Sequence, residues 1–271
     1  MKVLDIYGKK DLEILTCNGI VINKIMDNFF KRFPKSYRKN YDRNLESIEI
    51  WELDEHYDGL TAGEYFSEYN ILLIQRLSSI VHELMHVASC DYETRLSAFR
   101  RKKDGYLFEN ALIEGMTEYL SSMAHDSAPA DYFFETFSVS MLSNIDGIFE
   151  SYFIPNYDKF IGLFPNKRDI ISLMYSLNYY SNKNIEYTCG VVSEFSDMDR
   201  LKVENSIKDV IDTLIDIQLS MKMSLYNNKR YAQKFMDLLN CEVMDTYVGE
   251  YFEDYVDYAN MQVNKRILRR L

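Results

Sequence analysis

Residues 78–90 read Ser78-Ser79-Ile80-Val81-His82-Glu83-Leu84-Met85-His86-Val87-Ala88-Ser89-Cys90. Ile80, Leu84 and Val87 recur at i, i+4 and i+7, and Val81, Met85 and Ala88 widen that stripe, so the stretch predicts a helix buried over most of its girth. Ser78 and Ser79 stand where an N-cap belongs. His82 and His86 are four apart and share one helix face, offset by roughly 40° about the axis and about 6 Å along it. Both imidazoles therefore reach a single zinc ion at about 2.0–2.1 Å. Glu83 points to the side of the pair, where a carboxylate can act as general base on a water without being a ligand. Histidines on a buried helix need polar partners, and this motif holds two of the four histidines in the chain.

A metal site needs a third ligand, and a reactive one keeps a fourth position open. The next apolar-periodic stretch downstream is Asn110-Ala111-Leu112-Ile113-Glu114-Gly115-Met116-Thr117-Glu118-Tyr119-Leu120. Its many apolar residues predict a second buried helix, on which Glu114 and Glu118 share a face. A solvated acidic face is the plain alternative, but a helix this apolar does not bury two glutamates without partners.

With these two helices the chain resembles the gluzincin metallopeptidases, in which a second helix supplies a glutamate as third ligand, often in a Glu-Gly context. Ile113-Glu114-Gly115 matches that context, with Ile where Asn is frequent. The resemblance implies one zinc ion held by His82, His86 and Glu114. It also implies Glu118 as the carboxylate that hydrogen-bonds a ligand histidine, fixing its tautomer and raising its basicity. An exchange of roles between Glu114 and Glu118 is the main rival assignment. The pattern Glu-Gly-x-Thr-Glu is also similar to small zincin-like bacterial proteins of uncharacterised activity. The resemblance covers roughly residues 45–160 and is specific at the two helices.

Working outward, Asn70-Ile71-Leu72-Leu73-Ile74 reads as a strand just before the histidine helix, and Ile48–Leu53 alternates like another. In zincins a sheet precedes this helix and its edge strand lies along the cleft. By resemblance residues 62–70 are the candidate edge, to which a peptide adds by main-chain hydrogen bonds; an ordinary hairpin is the alternative. Residues 1–16 carry short alternation suited to a first strand. Asn18-Gly19 marks a turn, and Ile20–Phe33 predicts an amphipathic helix ended by Pro34. Lys35–Arg43, basic and tyrosine-containing, reads as a solvated loop rather than an anion patch. Asp58-Gly59 and Lys102-Lys103-Asp104-Gly105 are turn signals.

From Asp131 onward the periodicity is helical. Tyr132–Ile145 and Ile148–Phe160 are broken by Asp146-Gly147 and Pro155. Lys167–Tyr180, Val203–Leu225, Tyr231–Leu239 and Val243–Leu271 follow, and Ile185–Phe195 is ambiguous. In the last helix Glu250, Glu253, Asp254 and Asp257 come early and Lys265, Arg266, Arg269 and Arg270 late, an order that suits the helix dipole.

The 271 residues carry a net charge of −11 and are 47% hydrophobic. That acidity speaks against nucleic acid, whose phosphates need a basic surface, and against an anionic membrane as partner. No stretch reaches the length of a membrane-spanning helix, and Met1–Ile6 opens no apolar run of signal-peptide length. The expectation is a protein of the cytoplasm, with secretion by a signal-independent route as the other possibility. Cys17, Cys90, Cys189 and Cys241 are too widely spaced for a C-x-x-C motif and read as reduced thiols, Cys90 as a core residue.

The expected fold is α+β and predominantly helical. A zincin-like lobe over residues 1–125 carries a small antiparallel or mixed sheet and the two ligand helices, and an all-α lobe over residues 126–271 closes the cleft. The expected function is zinc-dependent hydrolysis of a peptide bond in a peptide or protein substrate, with Glu83 as general base. Tyr152 comes first, before Tyr157 and His125, as the donor that stabilises the oxyanion. The alternatives are an inactive zincin-scaffold binding protein and a toxin-like protease acting on a host or competitor protein. Oligomeric state leaves no mark in the sequence.

Overall fold

The computed structural model describes residues 3–54, 62–99, 110–127, 131–188, 195–221 and 252–268. The described chain is predominantly helical with one small mixed sheet, an α+β fold. It divides into two compact units. The first comprises residues 1–105, 117–127 and 149–157, the second residues 106–116, 128–148 and 158–271.

In the first unit, β1 (Val3–Tyr7), β4 (Glu49–Leu53), β5 (Gly63–Phe66) and β6 (Ile71–Ile74) form a sheet of order β1-β4-β6-β5. β4 and β6 run parallel, while β1 and β5 flank them antiparallel. Ile50 and Leu72 pair across the parallel ladder, and both are fully buried. β2 (Thr16–Cys17) and β3 (Ile20–Val21) make a short hairpin. Its turn residues Asn18 and Gly19 both have positive φ, 50° and 75°, as a two-residue turn of this twist demands.

Helix α1 (Ile22–Phe30) begins two residues later than the periodicity predicts, because Ile20 and Val21 are taken by the hairpin. Lys35–Arg43, expected as a loop, is a 3-10 turn at Lys35–Arg38 followed by α2 (Lys39–Leu45). Tyr41 and Leu45 are buried one turn apart, and Arg38 pairs with Asp27 and Asp42. Those two apolar anchors are too few to register as a period in sequence, but they suffice once a core is there to receive them.

The histidine stretch is α3 (Ile80–Ser89). Ser79 stands at its N-cap, but its hydroxyl donates to the Arg76 and Ala62 carbonyls rather than accepting from the first turn. At the other end the buried Asn44 side chain donates to the carbonyls of Val87 (2.9 Å) and Cys90 (2.8 Å), satisfying orphan acceptors of the last turn. Cys90 is fully buried.

The downstream stretch is α4 (Asn110–His125). In the second unit follow α5 (Phe133–Leu142), whose ten residues are all buried, α7 (Tyr157–Gly162), α8 (Lys167–Thr188), α9 (Asp197–Ser220) and α10 (Phe252–Leu268), with α6 (Ile148–Phe153) lying mainly in the first unit. Gly147, at φ 88°, and the residues around Pro155 supply the expected breaks. α8 runs on through Ile185 to Thr188, beyond the predicted Tyr180. Near the end of α10, Arg266 reaches α9, meeting Asp212 at 2.9 Å and Asp216 at 2.7 Å, so this basic end serves ion pairs as well as the helix dipole. Among the described residues no strand follows Asp131, and no helix is long and apolar enough to cross a membrane. The expectations for Asp58-Gly59, Lys102–Gly105 and Tyr231–Leu239 fall outside the described residues.

Candidate metal centre

Eight of the ten residues of α3 are buried; His82 and His86 are the two that keep partial access to solvent. The helix is thus embedded on every side except the one that carries its imidazoles. The rings lie 5.1 Å apart, centroid to centroid. Glu114 is likewise half-buried among neighbours that are fully buried. His82, His86 and Glu114 each offer one ligand atom, and the three atoms lie within 4.8 Å of one another.

Each histidine is oriented from behind by α4. Glu118, 6% exposed, brings Oε2 to 2.8 Å from Nδ1 of His82. Thr117, fully buried, brings Oγ1 to 3.4 Å from Nδ1 of His86. With Nδ1 of each ring engaged, Nε2 is the nitrogen that each histidine brings to a metal. Two imidazoles and one carboxylate oxygen match the donor set of zinc sites that hold the ion through three protein ligands, so the residues present fit such an ion.

Glu83 is 6% exposed, and its side chain lies against the sheet. A Cβ built on Gly63 would stand 2.8 Å from Glu83 Cγ, 3.0 Å from Ser79 Oγ and 3.1 Å from Glu83 Oε1. The glycine on edge strand β5 is therefore what lets the Glu83 side chain occupy its place. Gly115 is a second close approach. A Cβ there would meet the Glu135 backbone carbon and oxygen at 2.5 Å, so the Glu-Gly pair after α4 begins has a packing cause of its own.

The three candidates for an oxyanion donor are placed differently from one another. Tyr152 is fully buried, and its hydroxyl lies 2.7 Å from Thr117 Oγ1 and donates to the Met85 carbonyl at 3.2 Å. It is held next to Thr117, the residue whose hydroxyl lies 3.4 Å from Nδ1 of His86. The carbonyl of Phe153 next to it accepts from Asn40, and the Phe153 ring packs with Phe29, Phe30, Phe33 and Tyr37, so Tyr152 is anchored by its neighbour. His125 turns Nε2 toward the buried Cys17 thiol, 3.9 Å away. Burial lowers the His125 pKa and raises that of Cys17. Tyr157 is half-buried.

Sequence reasoning passed over Thr117 and Gly63. Thr117 stands in the pattern Glu-Gly-x-Thr-Glu and shares a turn of helix with Glu118, but neither signal pointed to the ring of His86. Gly63 opens a strand, where a glycine is the mark of a close backbone approach.

Comparison of the chain with models of known protein families, with curated proteins and with solved structures finds no match.

Proposed function

We propose that this chain is a zinc-dependent peptidase of the gluzincin type. The observation that carries the reading is the pattern of access on α3. Solvent reaches this buried helix at the two histidines, and those histidines are the ones within ligand distance of Glu114. His82 and His86 would hold zinc through Nε2, and Glu114 through a carboxylate oxygen. Zinc bound there supplies Lewis acidity for the scissile carbonyl and brings the pKa of a water toward neutrality.

The remaining roles belong to the chain. Glu83, given room by the absence of a side chain at Gly63, takes a proton from the attacking water and delivers it to the leaving amine. Glu118 holds the His82 ring in one orientation and tautomer. β5 lies at the end of the strand order and beside Glu83, so an extended peptide that adds to its edge would run past the carboxylate that handles the proton.

The test is zinc content and peptide hydrolysis on the full chain. Wild type should carry near-stoichiometric zinc. Glu114→Ala should lose it, and Glu83→Gln should keep it while losing hydrolysis of a peptide library. A wild-type protein that takes up no zinc on reconstitution would overturn the reading and leave a binding protein on this scaffold.

A further inference from the structure

The sheet of the first unit is apolar on the side that water reaches. A sheet with one packed face and one wet face carries apolar residues inward and polar ones outward, whereas a strand that is apolar on both faces belongs between two layers. β6 reads Ile71-Leu72-Leu73-Ile74, apolar on both faces. Leu72 and Ile74 are fully buried, but Ile71 and Leu73, which point the other way, are half-buried. The register carries that outer face across the sheet. Ile6, Trp51, Leu73 and Glu64 form one cross-strand row, and Glu49, Ile71 and Phe66 form the next, so both rows share the side of Leu73 and Ile71. Ile6 is 54% exposed, Trp51 and Phe66 are half-buried, and Glu49 and Glu64 are exposed. Adjacent apolar rows edged by carboxylates have the composition of a binding surface.

Charge decides what fits there. The four strands carry Asp5, Glu49, Glu52 and Glu64 and neither lysine nor arginine, in a chain of net charge −11. A second copy would lay carboxylates against carboxylates, and a phosphate-bearing partner would meet the same repulsion. Glu49 and Glu64 stand on either side of β6 in successive rows, about 12 Å apart by the usual strand spacing and rise, close to two turns of helix. We propose that the outer face of this sheet docks an amphipathic helix of a partner protein, one whose apolar stripe is flanked by lysine or arginine. The stripe covers Trp51, Leu73 and Ile71, and cations two turns apart reach Glu49 and Glu64. The Trp51 indole donates to Glu49 Oε2 at 3.0 Å, which keeps that carboxylate beside the apolar row. Gly63, which abuts Glu83, pairs with the inward-facing Ile74, so the docking face is the side of the sheet away from Glu83. The inference goes beyond the peptidase reading and does not rest on it.

Trp51 is the only tryptophan of the chain, so its emission reports on this face alone. The experiment titrates full-length protein with a peptide of about 14 residues, leucine and lysine only, the leucines at i, i+3, i+4 and i+7. The mass of the peptide is checked after each titration. Trp51 emission should shift to the blue and saturate, and binding should weaken as salt is raised. Ile6→Asp should weaken binding about tenfold, and Glu64→Lys about 3–10-fold. Asp158→Lys, an equal change of charge at an exposed position of α7, should leave it unchanged. If Ile6→Asp does not fold, Glu64→Lys against Asp158→Lys carries the test. An unresponsive Trp51, equal binding of a shuffled leucine–lysine sequence or of a leucine–glutamate helix, or equal weakening by Glu64→Lys and Asp158→Lys overturns the proposal. So does a dimer in sedimentation that Ile6→Asp dissociates, since the occupant would then be a second copy.

Discussion

Glu118 and Glu135 are buried to nearly the same degree, 6% and 2% exposed, and the protein handles them in opposite ways. Glu118 places Oε2 2.8 Å from Nδ1 of His82, a ring nitrogen able to share a proton with it. Glu135, on α5, has the Ser181 hydroxyl and a backbone N–H for company. Burial pushes its carboxyl up to about 7, those two hydrogen bonds pull against it, and the nearby Glu114 adds to the rise. One acid is kept beside a histidine of the candidate metal group, and the other by letting it hold its own proton. Burial of an acid alone therefore does not mark a candidate site; what it faces does.

The contrast makes the same substitution read out differently at the two positions, in folding stability at Glu135 and in metal affinity at Glu118. The largest effect belongs to Glu135→Gln. Between about pH 4.5 and 7 the folded chain holds a proton on Glu135 that the unfolded chain has released. The native state binds more protons there, so stability falls as pH rises through that window and stays low above it. Glu135→Gln should flatten that fall in metal-free protein and leave the variant roughly 3 kcal/mol more stable than wild type above pH 7. Urea unfolding at a series of pH values checks this, and a wild-type stability that rises over the window would break the contrast.

Next comes Glu118. Glu118→Ala should weaken zinc binding about 10–100-fold, and Glu118→Gln less, because an amide oxygen still accepts from Nδ1–H without the charge. Calorimetric zinc titration separates the two variants, and equal affinity in all three proteins would make Glu118 an ordinary buried acid. The smallest effect is at Gly115. Alanine there gains about 1 kcal/mol of helix propensity but drives a methyl into the Glu135 backbone, an overpacking that costs about 1–3 kcal/mol. Gly115→Ala should therefore lower the melting temperature by a few degrees, and an unchanged or higher value would mean that the α5 backbone yields easily at this point.

Periodicity made much of the fold legible. The stripe of Ile80, Leu84 and Val87 gave α3, the long helices beyond Asp131 announced themselves by their repeats, and Asn18-Gly19 told of the hairpin turn. α2 was illegible because Tyr41 and Leu45 are too few anchors to form a pattern. At the candidate site, the two glutamates of α4 were singled out by the resemblance to gluzincins, while His82 and His86 could be read from spacing. Thr117 and Tyr152 could not. Their partnership joins three segments far apart in the chain, and a threonine or one tyrosine among 22 carries no local sign of which carbonyl or ring it will meet. The same holds for Gly63, whose importance lies in atoms it lacks.

Gly63 and Glu64 are neighbours on β5, the first filled against Glu83 and the second exposed. These two neighbours answer differently to an added side chain. Position 64 faces solvent, whereas a carbon added at position 63 would stand 2.8 Å from Glu83 Cγ on α3. The place of a carboxylate is thus set at a residue that has no functional group of its own.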